Sequence, residues 1–165
     1  MQKPEVIQLL KKILNNPLAE FRFGQWEAID AVANHNKILL LVQRTGWGKS
    51  IVYLFSTKIL RDSGRDITLI ISPLLALMRN QLDAAKLIGI TAETINSANT
   101  REWQQVINII KSDKVDALLI SPERLANENF IEEVIITLSD KIGLFVVDET
   151  HCISDGVTIL DLITE

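Results

Sequence analysis

Residues 37–50, KILLLVQRTGWGKS, carry the pattern from which the fold of the chain can be predicted. Residues 37–42 form a short apolar run, which suits a strand buried on both faces of a sheet. Gly46 and Gly48 follow this run, and they allow the backbone to curl so that successive N–H groups point into one concavity. A helix is expected to begin near Ser50, and its dipole would add positive charge to that concavity. A strand, a glycine-containing loop and a helix in this order predict a phosphate-binding loop, or P-loop.

The side chains of this loop are expected to bind a nucleotide. Lys49 would reach the β- and γ-phosphates, and the hydroxyl of Ser50 would bind Mg²⁺. Trp47 is expected to cap the nucleotide pocket rather than enter the core. The loop has Gln43 where the usual pattern has its first glycine, and a Gly-Lys-Ser turn that arises by chance is the alternative interpretation. The remaining cofactor-binding candidates in the loop are Thr45, Gly46 and Gly48.

Strands and helices are expected to alternate on both sides of this loop. Such alternation predicts a parallel, doubly wound α/β sheet with helices on its faces, and ligands bind such sheets at the carboxyl ends of the strands. The predicted strands are 37–42, 66–71, 91–95, 115–120 and 141–147. The predicted helices are 4–14, 24–34, 50–61, 74–87, 101–111 and, with a break, 122–138.

The last predicted strand ends in two adjacent carboxylates, Asp148 and Glu149. An apolar strand that delivers such a pair to the edge of a sheet is the Walker-B arrangement. Asp148 would hold Mg²⁺ through its water shell, and Glu149 would orient and deprotonate an attacking water molecule. Taken alone, an Asp-Glu pair after a strand indicates a solvated strand end, so the assignment depends on the P-loop being present as well.

The composition excludes several classes of protein. The chain has 165 residues, of which 47% are hydrophobic and 23% charged, which is typical of a globular domain and not of a disordered one. Its net charge of −4 excludes a bulk cationic surface as the main means of binding nucleic acid, although a local basic groove is compatible with it. The single cysteine, Cys152, excludes an internal disulfide framework. The sequence contains neither an apolar segment long enough to span a membrane nor the pattern of a signal peptide. It therefore predicts a cytoplasmic protein without a membrane partner.

Six ordered segments resemble the motifs of RecQ-type superfamily 2 DNA helicases. The final segment, with Thr150 in place of Ala, is similar to the D-E-A-H-C-I-S motif of that family. In chain order the segments are FRFGQ at 21–25, the P-loop, SPLLALMRNQ at 72–81, INS at 95–97, SPERL at 121–125 and DETHCISD at 148–155.

This resemblance implies a RecA-like P-loop domain that uses ATP and Mg²⁺ and binds single-stranded DNA. Gln25 would hydrogen-bond the adenine edge, since an amide both donates and accepts, and Arg22 would stack on or bond the base. His151 would couple the nucleotide site to the DNA side. Hydroxyls, amides and one cation would contact the DNA phosphates. The DNA-contact candidates are Ser72, Arg79, Asn96, Ser97 and Ser121.

The same resemblance divides the chain into three parts. Residues 1–20 are expected to form a helical lead-in, 21–155 the first RecA-like lobe, and 156–165 a tail unlike the family. The second lobe, which in this family supplies an arginine finger worth about 10³–10⁵ in rate, would be the natural partner. The chain is therefore expected to be an ATP-dependent DNA helicase by family and to turn over ATP poorly alone, with weak DNA binding. A non-catalytic nucleotide- or partner-binding module is the alternative, and the Cys-Ile-Ser continuation disfavours an RNA helicase.

The tail is the point at which the resemblance stops. In the RecQ type the motif continues into an aromatic-rich loop, Trp-Gly-His-Asp-Phe-Arg-Pro, whereas residues 156–165 are GVTILDLITE. In one possible coding of that loop, deletion of one T after the Asp155 codon produces the observed residues. A frameshift is thus one interpretation of the tail, and a divergent or truncated end is the other.

Overall fold

The computed structural model describes residues 1–73, 75–95 and 103–148. In chain order the main elements are α1 Lys3–Ile13, α2 Gln25–Ala33, α3 Lys49–Asp62, β1 Ile67–Ile71, α4 Leu75–Leu87, β2 Ala92–Ile95, α5 Trp103–Lys111, β3 Ala117–Ile120 and β4 Ile142–Val147. Helices and strands alternate from α3 onward, as the sequence predicts. Between β3 and β4 the chain forms a 3₁₀ turn at Pro122–Arg124, a short helix α6 at Glu128–Phe130 that continues as a π-helix at Ile131–Ile136, and a 3₁₀ turn at Ser139–Lys141.

The four strands of the described ranges form one parallel sheet with the order β2-β3-β1-β4. β1 lies in the centre, where Ile71 is paired with Ile120 of β3 on one side and with Val147 of β4 on the other. All residues of β1 and β3 are buried, whereas β4 is only partly buried. Continuous apolar strands of this kind are typical of parallel sheets that helices cover on both faces, which confirms the predicted α/β class.

Two hydrophobic cores lie on opposite faces of the sheet. Alternate residues of β1 point to opposite faces, so that Ile70 belongs to the first core and Leu69 and Ile71 belong to the second. Helices α1 to α4 cover the first face, and the lead-in helix α1 contributes its buried Val6 and Leu10 to the same core. Helices α5 and α6 cover the second face. The described helices are all too short or too polar to traverse a lipid bilayer.

The predicted strand at 37–42 is wrong. These residues adopt no strand structure, and each of the four described strands pairs only with the others. Ile38 and Leu40 are exposed at 103% and 78%, and Leu41 packs partly against the first core. An apolar run becomes a buried parallel strand only when an adjacent strand supplies its hydrogen bonds, and the hydropathy of the run carries no information about that neighbour.

Candidate nucleotide-binding site

The loop that precedes α3 has the backbone conformation that its glycines were expected to provide. Gly46 and Gly48 have φ angles of 80° and 97°, which L-residues with a side chain rarely adopt. Gly48 is the N-cap of α3, so the helix begins at Lys49 with Ser50 in its first turn. A Cβ atom at Gly46 would meet no atom within 4 Å, so the backbone of the loop borders open space at this point. The loop therefore presents the N-terminus of α3 next to a space that a phosphate group could enter.

The two residues expected to bind adenine are joined to this loop by hydrogen bonds. The Nε2 atom of Gln25 donates to the carbonyl oxygens of Trp47 and Gly48, at 3.0 and 3.4 Å. Its Oε1 atom accepts from the backbone N–H of Arg22 at 2.8 Å, and the guanidinium of Arg22 donates to the carbonyl oxygen of Gly46. Gln25 is 2% exposed, so its amide is fully engaged within the protein and fixes the loop against the start of α2.

Trp47 occupies a different position from the one expected. It is 9% exposed and belongs to the first hydrophobic core, although it lies within the loop. Its ring passes close to Gly24, where an added Cβ would lie 3.7 Å from Cζ2 of Trp47. The expectation that Trp47 stays outside the core is therefore wrong, because its indole packs among the buried residues of the first core although its backbone belongs to the loop. Trp26 and Trp103 pack against the first and the second core, respectively.

Asp148 lies at the carboxyl end of β4 and is held there by the sheet. Its backbone N–H donates to the carbonyl oxygen of Ile71 at 2.9 Å, which continues the β1–β4 pairing by one residue. Its Oδ2 atom accepts hydrogen bonds from the hydroxyl of Tyr53 at 3.3 Å and from Nε2 of Gln81 at 3.1 Å. Tyr53 is on α3 one turn after Lys49, and residues three or four apart lie on the same face of a helix. The structure thus brings the first turns of α3 and the carboxylate of Asp148 together.

Tyr53 has an unusual environment for a titratable group. Its burial, and next the negative charge of Asp148, raise the pKa of its hydroxyl well above the ordinary value. Tyr53 is 7% exposed and therefore remains a protonated donor to Asp148 over the whole physiological pH range. The sequence analysis did not select Tyr53 or Gln81. The spacing of Tyr53 from Ser50 on one predicted helix is the signal that could have found it.

Three of the expected DNA contacts are described, and they differ in exposure. Ser72 and Ser121 follow β1 and β3 and lie at the same edge of the sheet as Asp148, where the N–H of Ser72 donates to the carbonyl oxygen of Ile120 at 3.0 Å. Both serines are buried, and the Ser121 hydroxyl donates to Oε1 of Glu123 at 2.6 Å. Arg79 on α4 is exposed. The two serines lie at the predicted edge, but their side chains are buried and the Ser121 hydroxyl is already bonded to Glu123.

Several expected site residues lie outside the described residues, and so does the tail at 156–165. They are Glu149, His151, Asn96 and Ser97.

The described donors suit a magnesium–nucleotide complex better than a metal ion held by protein alone. Among the described residues no group of three or more His, Cys, Asp or Glu side chains could hold a metal ion. Mg²⁺ in nucleotide sites is bound by one or two protein oxygens together with phosphate oxygens and water. Ser50, in the first turn of α3, and Asp148, at the end of β4, each carry an oxygen of the type found in such sites.

Comparison with known proteins identifies the family. The sequence model for DEAD/DEAH box helicases matches residues 22–164. The chain is 37% identical to the ATP-dependent DNA helicase RecQ of Haemophilus influenzae, over 93% of this chain and 23% of that protein. It is 36% identical to the Bacillus subtilis protein of the same name, over 82% of this chain and 22% of the relative. The chain thus spans less than a quarter of the length of these relatives.

Two solved structures share the fold at low sequence identity. The DUF1998 helicase MrfA superposes with a TM-score of 0.60 at 17% identity, over 87% of this chain and 23% of that one. A hypothetical ATP-dependent RNA helicase from Sulfolobus tokodaii also gives 0.60, at 15% identity, over 99% of this chain and 56% of that one. These likenesses show a RecA-like fold. Together with the family match and the RecQ relatives, they lead to one conclusion: the chain belongs to the DEAD/DEAH box helicase family and is similar within it to the first lobe of the RecQ type.

Proposed function

We propose that the chain binds ATP and Mg²⁺ at the loop before α3 and single-stranded DNA along the carboxyl edge of the sheet, as the ATP-binding lobe of a RecQ-type DNA helicase. The observation that carries this proposal is the 3.3 Å contact between the Tyr53 hydroxyl and Asp148, which joins the P-loop helix to the Walker-B carboxylate. A chance Gly-Lys-Ser turn would have no reason to lie beside an acidic strand end.

Each residue of the proposed site has a distinct task. Lys49 neutralises the β- and γ-phosphates, which the N–H groups at the start of α3 also bind. Ser50 and Asp148 hold the cation, Ser50 through its hydroxyl and Asp148 through the water shell. Mg²⁺, when bound, neutralises phosphate charge and orients the oxygens for displacement. Glu149 is proposed to orient and deprotonate the attacking water, and His151 to couple this site to the DNA.

Recognition of adenine by Gln25 requires a change of hydrogen bonds. Its amide is occupied by Arg22, Trp47 and Gly48, so a base that approached it would replace the longer bond to the Gly48 carbonyl. Arg22 is exposed, and only one of its guanidinium nitrogens donates to the Gly46 carbonyl oxygen in this contact. The guanidinium has further N–H donors, which supports its proposed contact with the base. We thus assign adenine selection to Arg22 and Gln25 jointly.

Single-stranded DNA is proposed to lie across the strand ends. Arg79 is an exposed cation on α4, Ser121 would contact phosphates through its backbone N–H group or after rotation of its hydroxyl, and Ser72, whose N–H is bonded to Ile120, would do so only through its hydroxyl. Asn96 and Ser97 complete the proposed contacts. The net charge of −4 implies that such contacts are few, and binding to this lobe is expected to be weak and to fall with salt.

Hydrolysis by the isolated chain is expected to be slow. The resemblance implies that a second lobe supplies an arginine worth about 10³–10⁵ in rate, and the chain spans only 23% of its Haemophilus influenzae relative. An ATPase assay with and without single-stranded DNA distinguishes a slow, DNA-stimulated enzyme from a non-catalytic nucleotide-binding module.

Titration with a fluorescent ATP analogue in the presence of Mg²⁺ tests the proposal. Lys49→Ala removes a charge at the phosphates and is expected to weaken ATP and ADP binding by about tenfold to a hundredfold. Lys58→Ala is the matched control, because Lys58 lies on the same helix and pairs with Asp62 at 2.6 Å. Equal affinity of the unaltered chain for ATP and GTP would contradict the adenine assignment. No binding of either nucleotide would contradict the proposal as a whole.

A further inference from the structure

We propose that Tyr53 and Gln81 are positioning residues that hold the Asp148 carboxylate in the orientation in which it serves the magnesium–nucleotide complex. This inference rests on the proposed function and assigns a task to Tyr53, which lies outside the six segments, and to Gln81, which ends the segment at 72–81 and had no role assigned. Neither residue is proposed to touch the nucleotide or the cation.

The two donors form hydrogen bonds to the same atom from two different helices. The Tyr53 hydroxyl, on α3, and Nε2 of Gln81, on α4, lie 3.3 and 3.1 Å from Oδ2 of Asp148. A rotation of the carboxylate about its side-chain bonds would break both hydrogen bonds at once. Two donors that converge from separate elements therefore restrict the carboxylate to one orientation.

Burial makes both donors rigid. Tyr53 and Gln81 are 7% and 6% exposed, so surrounding side chains fix their own orientations. The Oε1 atom of Gln81 is buried and has no hydrogen-bond partner among the described residues. A buried amide oxygen without a partner lowers the stability of the fold. The bond from the Gln81 nitrogen to Asp148 is kept in spite of this loss, which supports a role for it beyond stability.

The link through Gln81 also connects the carboxylate to the proposed DNA side. Helix α4 begins just after Ser72 and carries the exposed Arg79, two residues before Gln81. A shift of α4 would move the Gln81 amide relative to Oδ2 of Asp148. The arrangement thus makes the orientation of the carboxylate depend on the position of the helix that bears the proposed DNA contact.

The test measures how much Mg²⁺ is needed for tight nucleotide binding. The full chain is titrated with a fluorescent ATP analogue at a series of Mg²⁺ concentrations, and the Mg²⁺ midpoint is compared for Tyr53→Phe and Gln81→Leu. Loss of a residue that orients a metal ligand typically weakens metal affinity about 10- to 100-fold, and we expect a midpoint about tenfold higher in each variant. Binding measured without Mg²⁺ is expected to change less than about twofold, because Lys49 and the loop are untouched.

Ser56→Ala is the matched control for the loss of a buried hydroxyl from α3. Ser56 is 1% exposed, and its Oγ has no hydrogen-bond partner. Its removal is expected to leave the Mg²⁺ midpoint unchanged. Unfolding midpoints in urea, measured for all variants, separate a general loss of stability from a specific effect on the cation.

Combination with Asp148→Asn decides whether the two residues act through Asp148. In that background, Tyr53→Phe and Gln81→Leu are expected to have no further effect on the Mg²⁺ midpoint. An unchanged midpoint in both folded single variants, or a full additional shift in the Asp148→Asn background, would overturn the inference. Failure of the unaltered chain to bind nucleotide at any Mg²⁺ concentration would instead overturn the proposed function, and this inference with it.

Discussion

Replacement of Gly48 by alanine is expected to destabilise the chain more than the same replacement of Gly46, two residues earlier. Both residues have positive φ angles, 97° at Gly48 and 80° at Gly46. A residue with a side chain in the left-handed region costs about 1–2 kcal/mol, so both variants share this loss. The two positions differ in what an added Cβ atom would meet.

At Gly48 the added atom would lie 2.7 Å from Nε2 of Gln25, whereas at Gly46 it would meet nothing within 4 Å. The amide of Gln25 would have to move away and give up its bonds to Trp47 and Gly48, at 3.0 and 3.4 Å. Each such bond contributes about 0.5–1.5 kcal/mol. The expected losses in the free energy of unfolding are therefore roughly 2–5 kcal/mol for Gly48→Ala and roughly 1–2 kcal/mol for Gly46→Ala.

Urea denaturation of both variants, alone and combined with Gln25→Ala, measures these losses. Without the Gln25 amide the Cβ at Gly48 has no atom to displace, so the excess cost of Gly48→Ala is expected to disappear. Equal costs at Gly46 and Gly48 in the otherwise unaltered chain would refute the reasoning. So would an excess at Gly48 that persists after Gln25 is removed.

Three further changes test other parts of the structure. Leu40→Ser is expected to change the free energy of unfolding by less than about 0.5 kcal/mol in urea denaturation, since Leu40 is 78% exposed, and a loss above about 2 kcal/mol would show that it is buried in solution. Thr68→Val removes a hydroxyl 2.8 Å from that of Thr57 in the core, and because Thr57 keeps the Tyr53 carbonyl oxygen at 2.8 Å the expected cost is about 0.5–1.5 kcal/mol, whereas Thr57→Val/Thr68→Val should cost less than the two single changes added together. Arg61 lowers the pKa of Asp113 mainly through a hydrogen bond, so this carboxylate stabilises the fold above its ordinary pKa and stops doing so as the pH falls through the lowered value. The urea midpoints of the unaltered chain and Asp113→Asn should therefore differ at neutral pH and converge as the pH falls below the lowered pKa of Asp113, and a difference that is constant with pH would contradict this.

Four of the five predicted strands are confirmed, at the edges of the sheet as well as inside it, and those predicted at 91–95 and 141–147 appear as the edge strands β2 and β4. The strands predicted at 66–71 and 115–120 appear as β1 Ile67–Ile71 and β3 Ala117–Ile120, shorter by one or two residues at their starts. Their apolar character follows directly from burial between two layers of helices. The run at 37–42 has the same character but no described strand beside it, and pairing is a property of the tertiary structure.

The candidate site was predictable in its position but not in its contacts. Asp148 lies at the end of β4 because the apolar run before it defines the strand. Its partners Tyr53 and Gln81 are 95 and 67 residues away in the chain, and no local pattern relates residues at such separations. The amide of Gln25 was expected to face a base, yet it bonds to the loop, because its position inside the fold offers carbonyl oxygens at closer range.

The hydrogen bonds that extend the ladder past the strand ends have a consequence for local opening. The N–H groups of Ser72 and Asp148 donate to Ile120 and Ile71, which are the last residues of β3 and β1. Because these are the terminal hydrogen bonds of the ladder, local fraying of the strand ends breaks them, and their amide protons are expected to exchange faster than those in the middle of β1 and β3. The tip of the sheet thus opens before its middle, and a ligand bound there is expected to slow the exchange of these two protons first.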